Sequence, residues 1–394
     1  MTRRVAVFGA SGHVGGTLVE RLLARGTYDV RPVIHTAGNA WRLARRGIRL
    51  WQADLARREE IREVVAGCDV VVNCTYPPGE QMEPTAKNLT AECLAAGVKR
   101  FVHLSSIAVY GEFPSRAAEY ETATERAPKR TYGYYKLRQD EIVERAAKSG
   151  LPSVVLCPPN ITGLNSRYLF EILEALRRGM LPLVGDGSAP CVLVDVVNLA
   201  AAIELAFDHG AADGRRVFIN DDEPTTWRDV VDSLWPIVGD APPVGSIGVD
   251  EARRFVANQR DGFTLAQAAR RIAGLGELKR VVKQTPTLLR WARRCKNWSK
   301  YGPRRLRQVF EGVPRIAPAS AASPDWSRLV AHQLRGVRHR CDRARQELGY
   351  RPELTFAQST AEFRRWYEAY CGFGADEWPL LWQLHHRLSA TRGG

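Results

Sequence analysis

Short apolar runs alternate with segments of helical periodicity along the first 220 residues. Such runs are typical of strands buried in a parallel sheet, and the segments between them fit crossover helices. Because strands and helices alternate, we predict an α/β fold of the Rossmann type, a doubly wound parallel sheet with right-handed crossovers. After a first strand at 4–8, the pattern predicts strands at Tyr28–Ile34, 48–52, 69–74, 100–106, 152–157, 191–195 and 217–220.

The same pattern predicts two regions. Residues 1–165 form a dinucleotide-binding Rossmann domain, to which segments near 191–220 return. Residues 166–394 form a smaller, mostly helical C-terminal region with a basic insertion at about 245–335 and a final amphipathic helix through Phe363, Trp366 and Tyr370. Pro32 lies inside the second strand, which predicts an irregularity or a sheet edge there.

Three glycines, Gly9, Gly12 and Gly15, lie where the first strand gives way to a helix. In this context the first glycine permits a tight turn, the second lets the backbone approach a pyrophosphate, and the third lets the helix pack against the sheet. The helix N-terminus then offers backbone N–H groups to phosphates. An ordinary glycine-rich turn is the alternative, but the position directly after an apolar strand favours a nucleotide site.

The end of the second strand bears on the choice of cofactor. Rossmann folds that prefer NAD carry an acid there that binds the ribose hydroxyls, whereas this chain has His35-Thr36-Ala37. Arg42, Arg45 and Arg46 follow on a predicted helix, where one of them can meet a 2′-phosphate. NADP is therefore favoured over NAD, unless these arginines form only a solvated helix face.

Composition narrows the class of protein. No apolar run approaches the roughly 18 residues of a membrane span, and the N-terminus leads directly into the first strand, so we expect no signal peptide. Eight cysteines lie scattered without metal-ligand spacing, which predicts reduced thiols in a cytoplasmic protein and no metal site.

Candidate chemistry comes from Tyr132 and Lys136, four residues apart on a predicted helix and therefore on one face. A lysine ammonium near a phenol favours the phenolate, and such a tyrosine can exchange a proton with an alcohol or ketone while hydride moves to or from a nicotinamide. Ser106, at the end of the fifth strand, is placed to hold the substrate oxygen.

With these residues the chain resembles the NAD-dependent epimerase/dehydratase family, the extended short-chain dehydrogenase/reductases, over about 4–240 and 336–372. Ser106, in Ser-Ser-Ile-Ala-Val-Tyr-Gly, takes the place of the catalytic Ser/Thr, Tyr132 and Lys136 take the catalytic pair, and Asn160 that of a substrate-binding asparagine. The resemblance implies a cofactor site formed by Gly9, Ser11, Gly12, His13, Val14, Gly15, His35, Asp54, Leu55, Asn73, Tyr132, Lys136 and Pro159.

Departures from the family pattern limit the substrate. Ile107 and Ala108 stand where sugar-nucleotide dehydratases carry an acid–base pair, so dehydration is not expected. Cys157 replaces an arginine, and Val192-Leu193-Val194 lacks another that often binds diphosphate, which weakens the case for a nucleotide sugar without excluding it.

The net charge of +14 is concentrated between residues 251 and 340, where 21 Lys/Arg face 5 Asp/Glu. Two helices are predicted at 265–294, split near 284–286. The stretch is read as a membrane-surface helix, a lid that offers arginines to a phosphorylated substrate, or a solvated structural face. No nucleic-acid recognition motif accompanies the charge, so nucleic-acid binding is not expected.

The sequence thus predicts an NAD(P)-dependent epimerase or oxidoreductase that acts on a secondary alcohol or ketone, with a sugar nucleotide as the favoured substrate. Two alternatives remain open. One is a reductase of a non-sugar ketone, like the related 3β-hydroxysteroid and dihydroflavonol enzymes; the other is a non-catalytic cofactor-binding protein. Since the family often dimerises through Rossmann-domain helices, a homodimer is a further expectation.

Overall fold

The computed structural model describes residues 2–261 and 327–370, except 45, 124–125, 209–212 and 240. The helices predicted at 265–294, and with them most of the basic stretch, lie outside the described residues. The chain divides into two compact units, Met1–Ile247 with His332–Gly394, and Gly248–Ala331.

The first unit is built on a parallel seven-stranded sheet. Its strands are β1 (Arg3–Phe8), β2 (Tyr28–Ile34), β3 (Trp51–Gln52), β4 (Val70–Asn73), β5 (Arg100–Leu104), β6 (Ser153–Cys157) and β10 (Asp213–Phe218). They lie in the order β10-β6-β5-β4-β1-β2-β3. This is the Rossmann order, with its switch point between β1 and β4, and it confirms the predicted fold class.

The connecting helices cover both faces of this sheet. They are α1 (His13–Arg25), α2 (Trp41–Ala44), α3 (Arg58–Val65), α4 (Met82–Ala95), α5 (Tyr132–Lys148) and α7 (Val196–Leu205). A further helix, α6 (Arg167–Arg177), packs against the C-terminal region instead. Alternation along β1 explains the two-sided burial: Val5 and Val7 pack into the core that includes α1 and α7, while Ala6 and Phe8 pack into the core beneath α3, α4 and α5.

The C-terminal region is mostly helical, as predicted. Its helices are α8 (Trp227–Val238), α9 (Val249–Asp261), α10 (Ser327–Gln333), α11 (Asp342–Leu348) and α12 (Phe356–Tyr370). Two small parallel pairs complete the fold, β7 (Asn160–Thr162) with β9 (Leu193–Asp195) and β8 (Leu183–Val184) with β11 (Ser246–Ile247). Phe170 of α6 lies edge-on to Phe363 and Trp366 of α12, which explains the apolar face predicted for the final helix.

The structure differs from the predicted pattern around β3. The strand predicted at 48–52 is reduced to Trp51–Gln52, because only Val33 and Ile34 of β2 pair with it. Pro32 therefore pairs with β1 but has no β3 partner, which is how the strand accommodates a residue without an N–H.

Neither membrane-spanning helices nor paired cysteines occur in the described part of the chain. No helix there is long and apolar enough to cross a bilayer. The six described cysteines are free thiols; Cys295 and Cys371 lie outside the described residues.

Candidate active site

The glycine turn joins β1 to α1 at the switch point of the sheet. Gly9 has φ +81°, and a Cβ there would lie 2.7 Å from the Cys74 carbonyl oxygen. A Cβ on Gly15 would lie 2.3 Å from the Gly9 carbonyl oxygen, so the helix packs directly on the turn. The turn is fixed by bonds from the Gly9 and Ala10 N–H groups to the Val33 carbonyl, each 3.1 Å.

The N-terminus of α1 is open to a ligand. Gly12 occupies the N-cap position without a side-chain cap, and no acidic residue lies in the first turn. The first N–H groups and the helix dipole therefore favour a phosphate, which fits the pyrophosphate of a dinucleotide. Ser11 lies half-buried at this turn, and Val14 turns its side chain into the core, so its backbone is what faces the ligand side.

His13 links this turn to the far side of the site. Its Nε2 donates to the Leu164 carbonyl at 2.8 Å, and burial lowers its pKa. A neutral imidazole in that bond ties the phosphate turn to the loop that follows β7.

Residues at the end of β2 bear on the adenosine ribose. His35 is exposed, and no carboxylate stands among the described residues 35–44. Arg42 forms an ion pair with Glu20 of α1 and donates to Thr17. Arg46 reaches the same Glu20 at 3.3 Å, while Arg45 lies outside the described residues. Glu20 thus holds two of the three predicted 2′-phosphate ligands.

The other predicted adenosine-side residues brace neighbouring turns. Asp54 accepts from the Ala56 N–H at 2.8 Å, and the Leu55 carbonyl accepts from the Asn88 amide at 2.9 Å. Asn73 is 2% exposed, and its oxygen accepts from the Thr75 N–H and hydroxyl. Its side chain is committed to the turn after β4, which leaves it a supporting role for the cofactor loop.

Ser106, Tyr132 and Lys136 come together at the carboxyl end of β5. Tyr132 is the first residue of α5, whose N-cap Thr131 accepts from the Tyr134 N–H at 3.3 Å. The Ser106 hydroxyl lies close enough to the Tyr132 hydroxyl to lower the pKa of the phenol. One turn further along α5, Lys136 is 3% exposed and donates from Nζ to the Leu104 carbonyl at 2.9 Å. The arrangement is suited to proton exchange at a substrate oxygen.

The electrostatics of this group differ from what spacing alone predicts. Tyr132 is 39% exposed, yet desolvation by the surrounding protein raises the pKa of its phenol, and the Tyr76 hydroxyl raises that pKa further, whereas the nearby Ser106 hydroxyl lowers it. Burial lowers the pKa of Lys136 to about 8. The i, i+4 spacing predicts a phenol pKa lowered by the lysine. The structure gives the opposite direction, because desolvation raises that pKa, and spacing carries no information about desolvation.

Asn160, the predicted substrate-binding residue, begins β7 and lies near the returning C-terminal segment. A small cavity lies there, and its polar lining includes Asn160, His332, Arg335 and His339. The indole Nε1 of Trp227, which also lines the cavity, is buried without a hydrogen-bond partner among the described residues. Pro159 is buried beside Asn160. The lining is thus rich in groups able to donate to an acceptor.

The departures from the family pattern have clear positions. Ile107 is 7% exposed in the short turn after Ser106, and neither it nor Ala108 can ionise. Cys157 at the end of β6 is fully buried, and burial raises the pKa of its thiol, so the side chain stays neutral. It therefore cannot supply the positive charge of the arginine that it replaces.

Sequence reasoning missed two groups near the catalytic face. Tyr76 lies with its ring 5.3 Å from that of Tyr132, and Asp140 is buried one turn beyond Lys136. The second carried a signal, because Tyr132, Lys136 and Asp140 recur at every fourth residue on one helix face. Tyr76 comes from the loop after β4, and no pattern in the sequence indicated that it would lie near Tyr132.

The sequence profile of the NAD dependent epimerase/dehydratase family matches residues 5–219. The chain belongs to this family. The predicted family, fold and enzyme class are thereby confirmed, and this family member is an NAD(P)-dependent enzyme of the extended short-chain dehydrogenase/reductase type.

Among relatives of this family member is a 4-hydroxy-2-methyl-3-oxo-4-farnesyl-3,4-dihydroquinoline-1-oxide ketoreductase of Stigmatella aurantiaca. It is 28% identical over 263 residues, which cover 64% of this chain and 78% of that protein. A UDP-glucose 4-epimerase of Vibrio cholerae is 24% identical over 252 residues, 59% of this chain and 75% of that one. Reductases and epimerases thus both occur among its relatives.

Solved structures show the same fold. A nucleoside-diphosphate-sugar epimerase from Pseudomonas aeruginosa superposes with a TM-score of 0.62 at 15% identity, covering 95% of this chain and all of that one.

Proposed function

We propose that this protein moves hydride between a nicotinamide cofactor and a secondary alcohol or ketone, with Tyr132 as the acid–base residue. The observation that carries the proposal is the convergence of three residues: Ser106 at the carboxyl end of β5, Tyr132 at the start of α5, which packs on the turn that carries Ser106, and Lys136, buried one turn away. Polar groups that converge at this edge of a doubly wound sheet are placed for chemistry beside a nucleotide.

Each residue has a distinct part. Ser106 donates to the substrate oxygen and orients it, and Tyr132 gives that oxygen a proton during reduction or removes one during oxidation. Lys136 donates to the nicotinamide ribose, and its positive charge favours the phenolate that remains after proton transfer. The glycine turn and the open α1 N-terminus hold the pyrophosphate. A bound nicotinamide supplies or accepts the hydride.

A sugar nucleotide is the first substrate class that we propose. It is supported by Asn160, in the place of the family's substrate-binding asparagine, and by Arg335 nearby, whose guanidinium is suited to phosphate oxygens. As an epimerase, the protein would remove hydride from the sugar carbinol and return it to the opposite face of the ketone, so that no cofactor is consumed.

Reduction of a non-sugar ketone is the second candidate. It is favoured by the buried Cys157, which replaces an arginine of the family, by the run Val192-Leu193-Val194, which lacks the arginine that often binds diphosphate, and by the Stigmatella ketoreductase among the relatives. The apolar Ile107 and Ala108 fit either candidate and leave dehydration without an acid–base pair.

Absorbance at 340 nm separates the two candidates. The full chain is incubated with UDP-glucose or UDP-galactose and NAD⁺, and separately with a 3-oxo ester such as ethyl acetoacetate and NADPH. Conversion between the two sugars without net absorbance change indicates an epimerase, whereas stoichiometric loss of NADPH indicates a reductase. A protein that binds cofactor but transfers no hydride across a wider panel of alcohols and ketones would contradict the proposed function.

We expect NADPH to bind several-fold more tightly than NADH, because no described residue at 35–44 places a carboxylate against the 2′ position. Arg46, whose side chain is 57% exposed, is the more available of the two described arginines. Quenching of tryptophan fluorescence measures both dissociation constants, and Arg46→Ala should remove most of the preference for NADPH.

Arg25→Ala serves as the matched control for this measurement, because it removes an exposed arginine from the last turn of α1, at the end away from the glycine turn. Equal or tighter binding of NADH by the unaltered protein would show the cofactor assignment to be wrong.

A further inference from the structure

Asp140 lies on the catalytic face of α5, one helical turn beyond Lys136 and two beyond Tyr132. It is 3% exposed, which is unusual for a carboxylate that no metal or substrate explains. A buried acid costs free energy unless its charge is paired or hydrogen-bonded, so its surroundings should show what maintains it.

Two donors converge on one oxygen of this carboxylate. Asp140 Oδ2 accepts from Arg216 Nε at 2.7 Å and from the Ser105 hydroxyl at 2.9 Å. Arg216 comes from β10, the edge strand of the sheet, and Ser105 directly precedes the catalytic Ser106. Burial raises the pKa of Asp140, while Arg216 and Ser105 oppose that increase and hold the charged form.

The other oxygen faces His103. Asp140 Oδ1 has no hydrogen-bond partner in the described part of the chain and lies 3.7 Å from His103 Nε2. On its far side, His103 Nδ1 lies 3.2 Å from the Asn73 amide nitrogen, which acts as donor because the Asn73 oxygen is taken by Thr75. Burial lowers the pKa of His103, so the ring is neutral. Because Nδ1 accepts from Asn73, the ring carries its proton on Nε2, which faces Asp140.

We propose that Asp140, held by Arg216, is a positioning residue for the hydride-transfer site, whose buried negative charge keeps Lys136 in the ammonium form. The proposal rests on the catalytic assignment of Lys136 made above. It explains why an arginine from the sheet edge reaches beneath the active site, where it touches none of the residues assigned to catalysis.

The direction of the effect follows from the groups that face Lys136. Desolvation lowers the pKa of Lys136, and among the groups that raise this pKa Asp140 has the largest effect. A thiol that remains protonated near neutral pH adds no charge, and burial raises the pKa of both nearby cysteines. The groups that face Lys136 are Asp140 on α5, Cys74 after β4, His103 on β5, Cys157 on β6 and, through Asp140, Arg216 on β10.

Asp140→Asn tests the proposal because it removes the charge and keeps the shape. A carboxylate one turn away shifts an ammonium pKa by about one unit or more, so the alkaline limb of the pH profile of kcat/KM should move to lower pH by at least about one unit. The pH dependence of NADPH dissociation should move with it, since Lys136 binds the ribose. That second measurement needs no substrate, and it remains informative even if the catalytic proposal fails.

The controls separate charge from structure. Glu141→Gln removes an acid from the next position of α5, where it pairs with Arg126 and Arg138 on the outer face, and should leave both profiles unchanged. Asp140→Glu, which keeps the charge, should restore the alkaline limb.

If Asp140→Asn fails to fold, Arg216→Gln replaces it as the test. Loss of the guanidinium raises the pKa of Asp140 further, so a smaller shift in the same direction is expected. A uniform loss of activity with unmoved pH limbs, in whichever variant folds, would overturn the proposal and leave Asp140 a structural residue only.

Discussion

Replacing Tyr132 with phenylalanine is expected to lower kcat/KM by about 100- to 10,000-fold, the range over which a positioned acid–base residue contributes. The ring, its packing against Tyr76 and the first turn of α5 would all remain, because only the hydroxyl near Ser106 is lost. Affinity for the cofactor should therefore stay within about threefold of the unaltered protein, since phosphate binding depends on the α1 N-terminus. Steady-state kinetics and a fluorescence titration measure the two quantities separately.

Tyr134→Phe is the matched control, because Tyr134 lies two residues along the same helix and stacks edge-on to Tyr135. It should retain nearly full activity. Unchanged turnover by Tyr132→Phe would refute the assignment of the acid–base residue, whereas a parallel loss of cofactor affinity would indicate a structural defect.

The raised pKa of Tyr132 also predicts how the activity depends on pH. A phenol that stays protonated through neutral pH is already in the form that reduction requires, because it must give a proton to the ketone oxygen. In that direction activity should be retained from neutral pH up to the point where Lys136, whose pKa is lowered to about 8, loses its charge.

The fold was predictable because its determinants are local. Apolar runs such as 70–73, buried on both faces, are typical of inner parallel strands, and Gly9, Gly12 and Gly15 occupy a turn in which the absence of side chains lets α1 pack close to the sheet. The sheet edge formed by β3 was not predictable in detail. The length of β3 depends on how far β2 offers it partners, and that information lies 17 or more residues away in the chain.

Part of the candidate site was equally local, since Tyr132 and Lys136 share a helix. The pKa shifts and ion pairs around these two residues were not predictable from the local sequence. The pKa directions of both residues follow from burial beneath the turn after β5, and Arg216 reaches Asp140 from 76 residues further along the chain. Arg42 shows the converse: an arginine that sequence position offers to a phosphate is drawn to Glu20, because the two helices that carry them lie side by side.

Gly133→Ala is the second substitution from which we expect a large effect, although alanine is intrinsically the better helix former by about 1 kcal/mol. A Cβ at this position would lie 1.9 Å from the Ala108 carbonyl oxygen and 2.8 Å from the Ala127 Cβ. Backbone cannot yield as a flexible side chain does, so the start of α5 must move away from the turn that carries Ser106. Overpacking of this kind costs about 1–3 kcal/mol of folding free energy, which outweighs the gain in helix propensity.

Activity should suffer more than stability, because a displacement of about 1 Å at a catalytic residue can cost about 100-fold in rate. Urea denaturation and kcat/KM would measure the two effects on the same preparation. Gly245→Ala is the control, since a Cβ on that residue would meet no described atom within 4 Å and its backbone is not left-handed. If Gly133→Ala retained the stability and turnover of the unaltered protein, α5 would not rest on the Ser106 turn as closely as the structure indicates, and the placement of Tyr132 beside Ser106 would lose its structural basis.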